Sequence, residues 1–144
     1  MPTIEETIKR AFALLAALSA GAVGAAPVAM NPGLWQIITS TEMPGVGLAM
    51  PPTKIEHCYS AEDVKDLRRT LPKKPNCKIA DWKQSGSTVT WKASCIGDTA
   101  ATMTGSMKFA GDRSSGAGKI SVSKGGRVLR MNQKYDAHRI GACK

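Results

Sequence analysis

Cys77-Lys-Ile-Ala-Asp-Trp-Lys-Gln-Ser-Gly-Ser-Thr-Val-Thr-Trp-Lys-Ala-Ser-Cys95 is the stretch on which the fold turns. Ser85-Gly86-Ser87 is a turn signal, and the flanking runs Ile79 to Gln84 and Thr88 to Ser94 carry the β-branched and aromatic residues of a hairpin. With the turn centred on Gly86, Cys77 and Cys95 lie opposite each other across an antiparallel pair, at a separation that a disulfide spans. The same register puts Trp91 on the cysteines' face and Trp82 on the other, so the two rings are expected to cover opposite sides of the sheet.

The segments on either side follow the same strand logic. Gly33-Leu-Trp-Gln-Ile-Ile-Thr-Ser-Thr41 is rich in β-formers and opens after the breaker Asn31-Pro32. Met43 to Pro52 holds three prolines and two glycines, which excludes a helix and argues against a central strand, so it reads as a loop. Lys54 to Tyr59 returns to extended structure. Ser60-Ala-Glu-Asp63 then signals a helix start, with the Ser60 hydroxyl as cap, Asp63 favourable to the dipole, Val64, Leu67 and Leu71 as one apolar stripe, and Pro72 as the stop. Beyond the hairpin come Ala101 to Phe109, Gly118 to Ser123 and Arg127 to Tyr135. In the first, Ala101, Met103, Met107 and Phe109 alternate with Thr102, Thr104, Ser106 and Lys108, one dry face and one wet. Gly111-Asp112 and Gly125-Gly126 supply turns, so neighbouring strands pair in sequence. The expected fold is mainly all-β: an antiparallel meander forming a curved sheet or small barrel, with one short helix. An open sheet covered by the helix and the proline-rich loop is the alternative to closure.

The first residues set the chemical context. Lys9-Arg10, the apolar run Ala11 to Val23 and the small residues Gly24, Ala25 and Ala26 have the three-part layout of a secretory signal peptide. The run is too short for a comfortable membrane span, and no later segment is long or apolar enough for one. The expected organisation is a signal peptide over residues 1–25, cleaved near Ala22 to Ala26, and a single disulfide-bonded β domain over 26–144. In an exported domain of this size four cysteines imply two disulfides. With Cys77 and Cys95 paired by the hairpin, Cys58 and Cys143 remain for the second. No Cys-x-x-Cys or His-x-x-x-His spacing marks a metal site. Twenty basic against eleven acidic residues give a net charge of +9; because Glu5, Glu6, Lys9 and Arg10 cancel, the charge survives loss of the leader. Seven aromatics in the whole chain and no clustered basic helix speak against nucleic acid.

Pro32-Gly-Leu-Trp-Gln36, the loop from Met43-Pro-Gly to Met50-Pro-Pro52, Cys58-Tyr-Ser-Ala-Glu-Asp63, Pro75-Asn-Cys77, Ser94-Cys95 and Arg139-Ile-Gly-Ala-Cys143 occur in one order along the chain. Together they resemble the bacterial domain-of-unknown-function family 3617, over essentially the whole mature chain. The resemblance implies an exported, disulfide-bonded, periplasmic domain of a Gram-negative bacterium. It carries no catalytic residue, cofactor or ligand to transfer. Gln36 stands where that family often has an acidic residue.

Enzyme motifs are missing: no nucleophile elbow, His-Glu-x-x-His or phosphate loop occurs, and Gly116-Ala-Gly118 lacks a following helix. His57 beside Cys58 could activate a thiol, but not one held in a disulfide. The expectation is a non-catalytic periplasmic or secreted binding module of the cell envelope, without catalytic, cofactor-binding or metal residues. Its partner would be an envelope protein or an anionic envelope surface, met through Met43, Pro44, Val46, Leu48, Met50 and Pro51. The alternative is a barrel-like carrier of a small apolar ligand, against which the low aromatic count weighs. A minor alternative is copper bound by the thioethers of Met43, Met50, Met103, Met107 and Met131.

Overall fold

The computed structural model describes residues 26–71 and 74–144. The leader expected over 1–25, and Pro72 as helix stop, lie outside the described residues. Seven strands follow in chain order: β1 (Gly33–Met43), β2 (Leu48–Tyr59), β3 (Cys77–Ser85), β4 (Thr88–Cys95), β5 (Thr99–Ala110), β6 (Arg113–Lys124) and β7 (Arg127–Gly141). A helix α1 (Ala61–Lys65) and a 3₁₀ turn (Leu67–Thr70) lie between β2 and β3. All seven strands form one antiparallel sheet in the order β2-β1-β7-β6-β5-β4-β3. Strands β3 to β7 are the expected meander, and the β1–β2 hairpin adds to it through β1 on β7.

The sheet does not close: β2 and β3 are both edges. It is nonetheless strongly curved, because residues from all seven strands line one cavity. A flat sheet of that many strands would be about 29 Å across at ~4.8 Å per strand. Glycines in the sheet permit part of this approach. A Cβ at Gly116 on β6 would run into the Met107 side chain and the Ser106 carbonyl of β5, so the strands pack there at a distance only hydrogen allows.

The alternation expected in β5 is present. Met107, Met103 and Ala101 pair in register with Val89, Ala93 and Cys95 of β4, and Phe109, Met107, Met103 and Ala101 with Ser114, Gly116, Ile120 and Val122 of β6, on one face. The β6–β7 turn is Gly125-Gly126 with both φ angles positive, 55° and 75°, which matches the twist of the strands it joins.

Met43 to Pro52 departs from its reading as a loop. Only Pro44 to Gly47 turn, and Leu48 to Pro52 already belong to β2. The prolines are tolerated because β2 is an edge strand. The pairing passes from Thr39–Thr53 to Thr41–Met50, so β2 carries one extra residue at Pro51-Pro52, a bulge.

The helix also differs from its expectation. Ser60 caps it as anticipated: its hydroxyl accepts from the Asp63 N–H at 3.1 Å while Asp63 accepts from the Ser60 N–H at 2.9 Å. The helix ends after five residues, however, at Asp66, whose backbone is extended and whose carboxylate accepts from the Arg68 N–H to start the 3₁₀ turn. The break divides the expected stripe between two short elements. Val64 and Leu67 still pack on the core, and Leu71 reaches the cavity. The connection from Tyr59 to Cys77 starts at one end of the sheet and returns to the other, joining the two edge strands.

Both disulfides have the expected partners. Cys77–Cys95 crosses the β3–β4 ladder, and Cys58–Cys143 joins the end of edge strand β2 to the tail after β7. Leu34 of β1 pairs with Cys58 on one side and Gly141 on the other, so the second bond spans the start of β1.

The end of the sheet where β1 begins is strapped by the segment before it. Gln84 Nε2 donates to the Ala26 carbonyl at 2.5 Å, and the Ala29 N–H donates to Ser87 Oγ at 3.1 Å. The Gly111 N–H donates to the Ala29 carbonyl at 2.6 Å, and the Asn31 N–H to the Gly111 carbonyl at 3.0 Å. Val28 and Met30 are thereby buried against Trp35, Val89 and Phe109.

Candidate apolar ligand site

The concave face of the sheet holds a partly open, mainly apolar space of about 230 Å³. Among the described residues there are six aromatic side chains, Trp35, Tyr59, Trp82, Trp91, Phe109 and Tyr135, and all six line it. The low aromatic count argues against a large ligand cavity; the Trp, Tyr and Phe rings among the described residues all converge on this modest one.

Trp82 reaches this face by a register change that the sequence reading did not contain. Cys77, Lys78 and Ile79 pair with Cys95, Ser94 and Ala93 as expected, but Asp81 pairs with Lys92 and Trp82 with Trp91. Ala80 is the extra residue of a bulge, and it rotates the rest of β3 by one position. Trp82 and Trp91 therefore share a face, correcting their expected placement on opposite sides. The turn shows why. Ser85 pairs with Thr88, so the loop is Gly86-Ser87, with Gly86 at φ 58° in the first central position. A two-residue loop of that form suits a hairpin better than the three-residue loop centred on Gly86. The disulfide and the turn demand registers one residue apart, and the bulge satisfies both.

Trp91 is accommodated by the strand beside it. Gly105 pairs directly with Trp91, and a Cβ there would lie 2.7 Å from the Cη2 of the indole. Trp35, fully buried, packs edge-on against Tyr59 with ring centroids 6.3 Å apart, and its Nε1–H donates to the Asn31 carbonyl at 3.0 Å. The cavity thus rests on the N-terminal strap at one end, with Leu67, Thr70 and Leu71 along one side.

Few polar groups enter it. Ser114 is buried, the Thr70 hydroxyl donates to the Leu67 carbonyl at 2.7 Å, and the Tyr135 hydroxyl donates to Gln133 Oε1. Burial raises the Tyr135 phenol above its usual range, and burial together with the negative charge of Asp63 raises that of Tyr59. Both remain neutral hydrogen-bond donors at physiological pH. None of the residues lining the cavity is a carboxylate, histidine, lysine or arginine.

The other sequence candidates do not converge on it. Pro44 and Val46 sit in the β1–β2 turn, Met43 at the end of β1, and Leu48, Met50 and Pro51 on edge strand β2. Of the thioethers, Met107 lines the cavity. Met103 and Met131 are held on either side of Ile120, two strands apart at about 10 Å, and Met50 lies on β2. His57 packs edge-on against Tyr59 with centroids 4.4 Å apart, and its neighbour Cys58 is bonded to Cys143. Among the described residues no three His, Cys, Asp or Glu side chains come together as a metal site.

The ordered cysteines, the Pro-Gly-Leu-Trp opening of β1 and the short capped helix are now in their structural places, and residues 30–143 match the family described as protein of unknown function, DUF3617. The chain belongs to that family. No curated protein and no solved structure gives a significant match. For this DUF3617 member the matched region takes in the second half of the strap, all seven strands and both disulfides. No helix among the described residues is long and apolar enough to cross a membrane.

Proposed function

We propose that this DUF3617 domain is a non-catalytic, exported protein of the cell envelope that holds a small apolar group in the concave face of its sheet. The observation that carries the reading is the convergence of every described aromatic side chain on one apolar cavity. Water in a mainly apolar recess finds few hydrogen-bond partners, so an apolar occupant that displaces it gains burial and packing. The space is half as large again as the roughly 150 Å³ void that admits benzene, so it suits a single ring or a short acyl segment. Ser114, Thr70 and Tyr135 offer hydroxyls to one polar atom of such a ligand.

Export is supported by the leader-like composition before residue 26 and by the pairing of all four cysteines in disulfides. A binding role fits a lining that is mainly apolar, with hydroxyls as its polar groups. The test uses protein purified from the envelope of its own cell. Native mass spectrometry should show a retained small molecule, and a brominated medium-chain fatty acid should quench the fluorescence of all three tryptophans, since each lines the cavity. A bare mass together with unquenched emission at saturating probe would sink the proposal.

A further inference from the structure

The two ends of the sheet differ. One is closed by the Ala26 to Pro32 strap. The other is formed by the β1–β2, β4–β5 and β6–β7 turns, and large apolar side chains are exposed on the first two and at the start of β7 after the third. Val46 is 68% exposed at the first turn, with Leu48 and Met50 just behind it; Ile96 is 71% exposed at the second; Val128 and Leu129 follow the third. Towards the strapped end the exposed large apolar side chains among the described residues are Ile140 and, on edge strand β2, Ile55. The turn end is also basic. Lys74, Lys78, Lys124, Arg127 and Arg130 lie at or near it against Glu42 and Asp98, and none of the five cations is in an ion pair among the described residues.

From this juxtaposition we infer that the turn end is a membrane-docking surface, on which the apolar β1–β2 and β4–β5 turn tips and the start of β7 enter the interfacial region of an anionic lipid bilayer while the surrounding lysines and arginines meet the head groups. The arrangement fits lipid better than a folded partner. The apolar groups are spread over two turn tips and the start of β7 rather than gathered in one flat patch, which suits insertion into a fluid interface, and the uncompensated charge matches anionic lipid. β7 supports this geometry: Glu42 of β1 pairs with Asn132 and β1 ends one residue later at Met43, so Arg127 to Arg130 extend past the end of that strand. The inward row Met103, Ile120 and Met131 on adjacent strands continues the apolar face from the cavity towards this end. The inference concerns the surface, and it holds whichever ligand the cavity takes.

The experiment is flotation of protein purified from the cell that makes it, its N-terminus fixed by intact mass, with vesicles of phosphatidylethanolamine and phosphatidylglycerol or of phosphatidylcholine alone. The wild type should float with the anionic vesicles and much less with the neutral ones. Val46→Asp combined with Ile96→Ser should abolish flotation, and Lys124→Glu with Arg127→Glu should weaken it more than tenfold, at about fivefold or more per cation. All four positions are exposed, and the circular dichroism and cavity fluorescence of the variants should match the wild type. Equal binding to neutral vesicles, indifference to the tip and charge substitutions, or capture by an envelope protein without flotation would each overturn the assignment.

Discussion

The two disulfides close loops of very different length, which makes their relative contribution calculable. Cys77 and Cys95 are separated by 18 positions, and Cys58 and Cys143 by 85. In the chain-entropy treatment the first cross-link removes about 3.2 kcal/mol of unfolded-state freedom at 25 °C and the second about 4.6, a difference of about 1.4 kcal/mol. The native-state terms are similar in kind. Cys58 and Cys143 are exposed and Cys77 and Cys95 half-buried, and none of the four is in the apolar core. Paired serine replacements, Cys58→Ser/Cys143→Ser and Cys77→Ser/Cys95→Ser, leave no free thiol to reshuffle. Urea unfolding followed by tryptophan emission should show the first variant less stable than the second by about that difference. The dependence on denaturant should also steepen more in the first, because its unfolded chain expands further. If removing Cys77–Cys95 costs as much as removing Cys58–Cys143, loop entropy does not govern stability in this fold.

Gly105→Ala places a methyl group against the Trp91 indole and should cost about 1–3 kcal/mol; unchanged stability and Trp emission would mean the ring does not lie across Gly105. Trp35→Ala empties a fully buried site and should cost about 3–5 kcal/mol, with faster amide exchange at Ala29 and Asn31 because the indole anchors the strap through the Asn31 carbonyl. The Asp63 carboxyl lies below its usual pKa because the Ser60 backbone N–H, and then the Ser60 hydroxyl, donate to it. Its ionised form therefore favours the folded state at pH values above the ordinary carboxylate pKa, and that contribution fades as the pH falls through the lowered native value. Ser60→Ala keeps the backbone donor and loses the hydroxyl, so carbon-detected NMR titration should find the Asp63 pKa part of the way back towards ordinary. An unmoved value would remove the hydroxyl from the account.

Local chemistry made much of this molecule readable in one dimension. Alternation in Ala101 to Phe109 identified a strand with one dry face, because side chains leave a pleated strand to opposite sides. Ser60 and Asp63 marked a helix start, because the free N–H groups of a first turn need acceptors. Cys77 and Cys95 were matched because hairpin pairing is local in sequence. Arg113 to Ala117 was not recognised as strand, since its serines and glycines have no intrinsic preference for extension; it is held there by β5 and β7 on either side.

The cavity could not be read in this way. The place of Trp82 in it depends on Ala80, one residue that neither turn nor disulfide identifies. Two local rules conflict by one position between Cys77 and Ser85, and only pairing along the whole ladder decides where the surplus residue goes. That choice turns Trp82 towards Trp91. The curvature that gathers rings from six strands around one space is likewise a property of seven strands twisting together. The sequence by itself determined the strands, the cap and the cysteine pairs, because each rests on neighbours in the chain. Tertiary structure decided the open edges, the shared face of the tryptophans and the cavity, because each depends on register and curvature summed across the whole sheet.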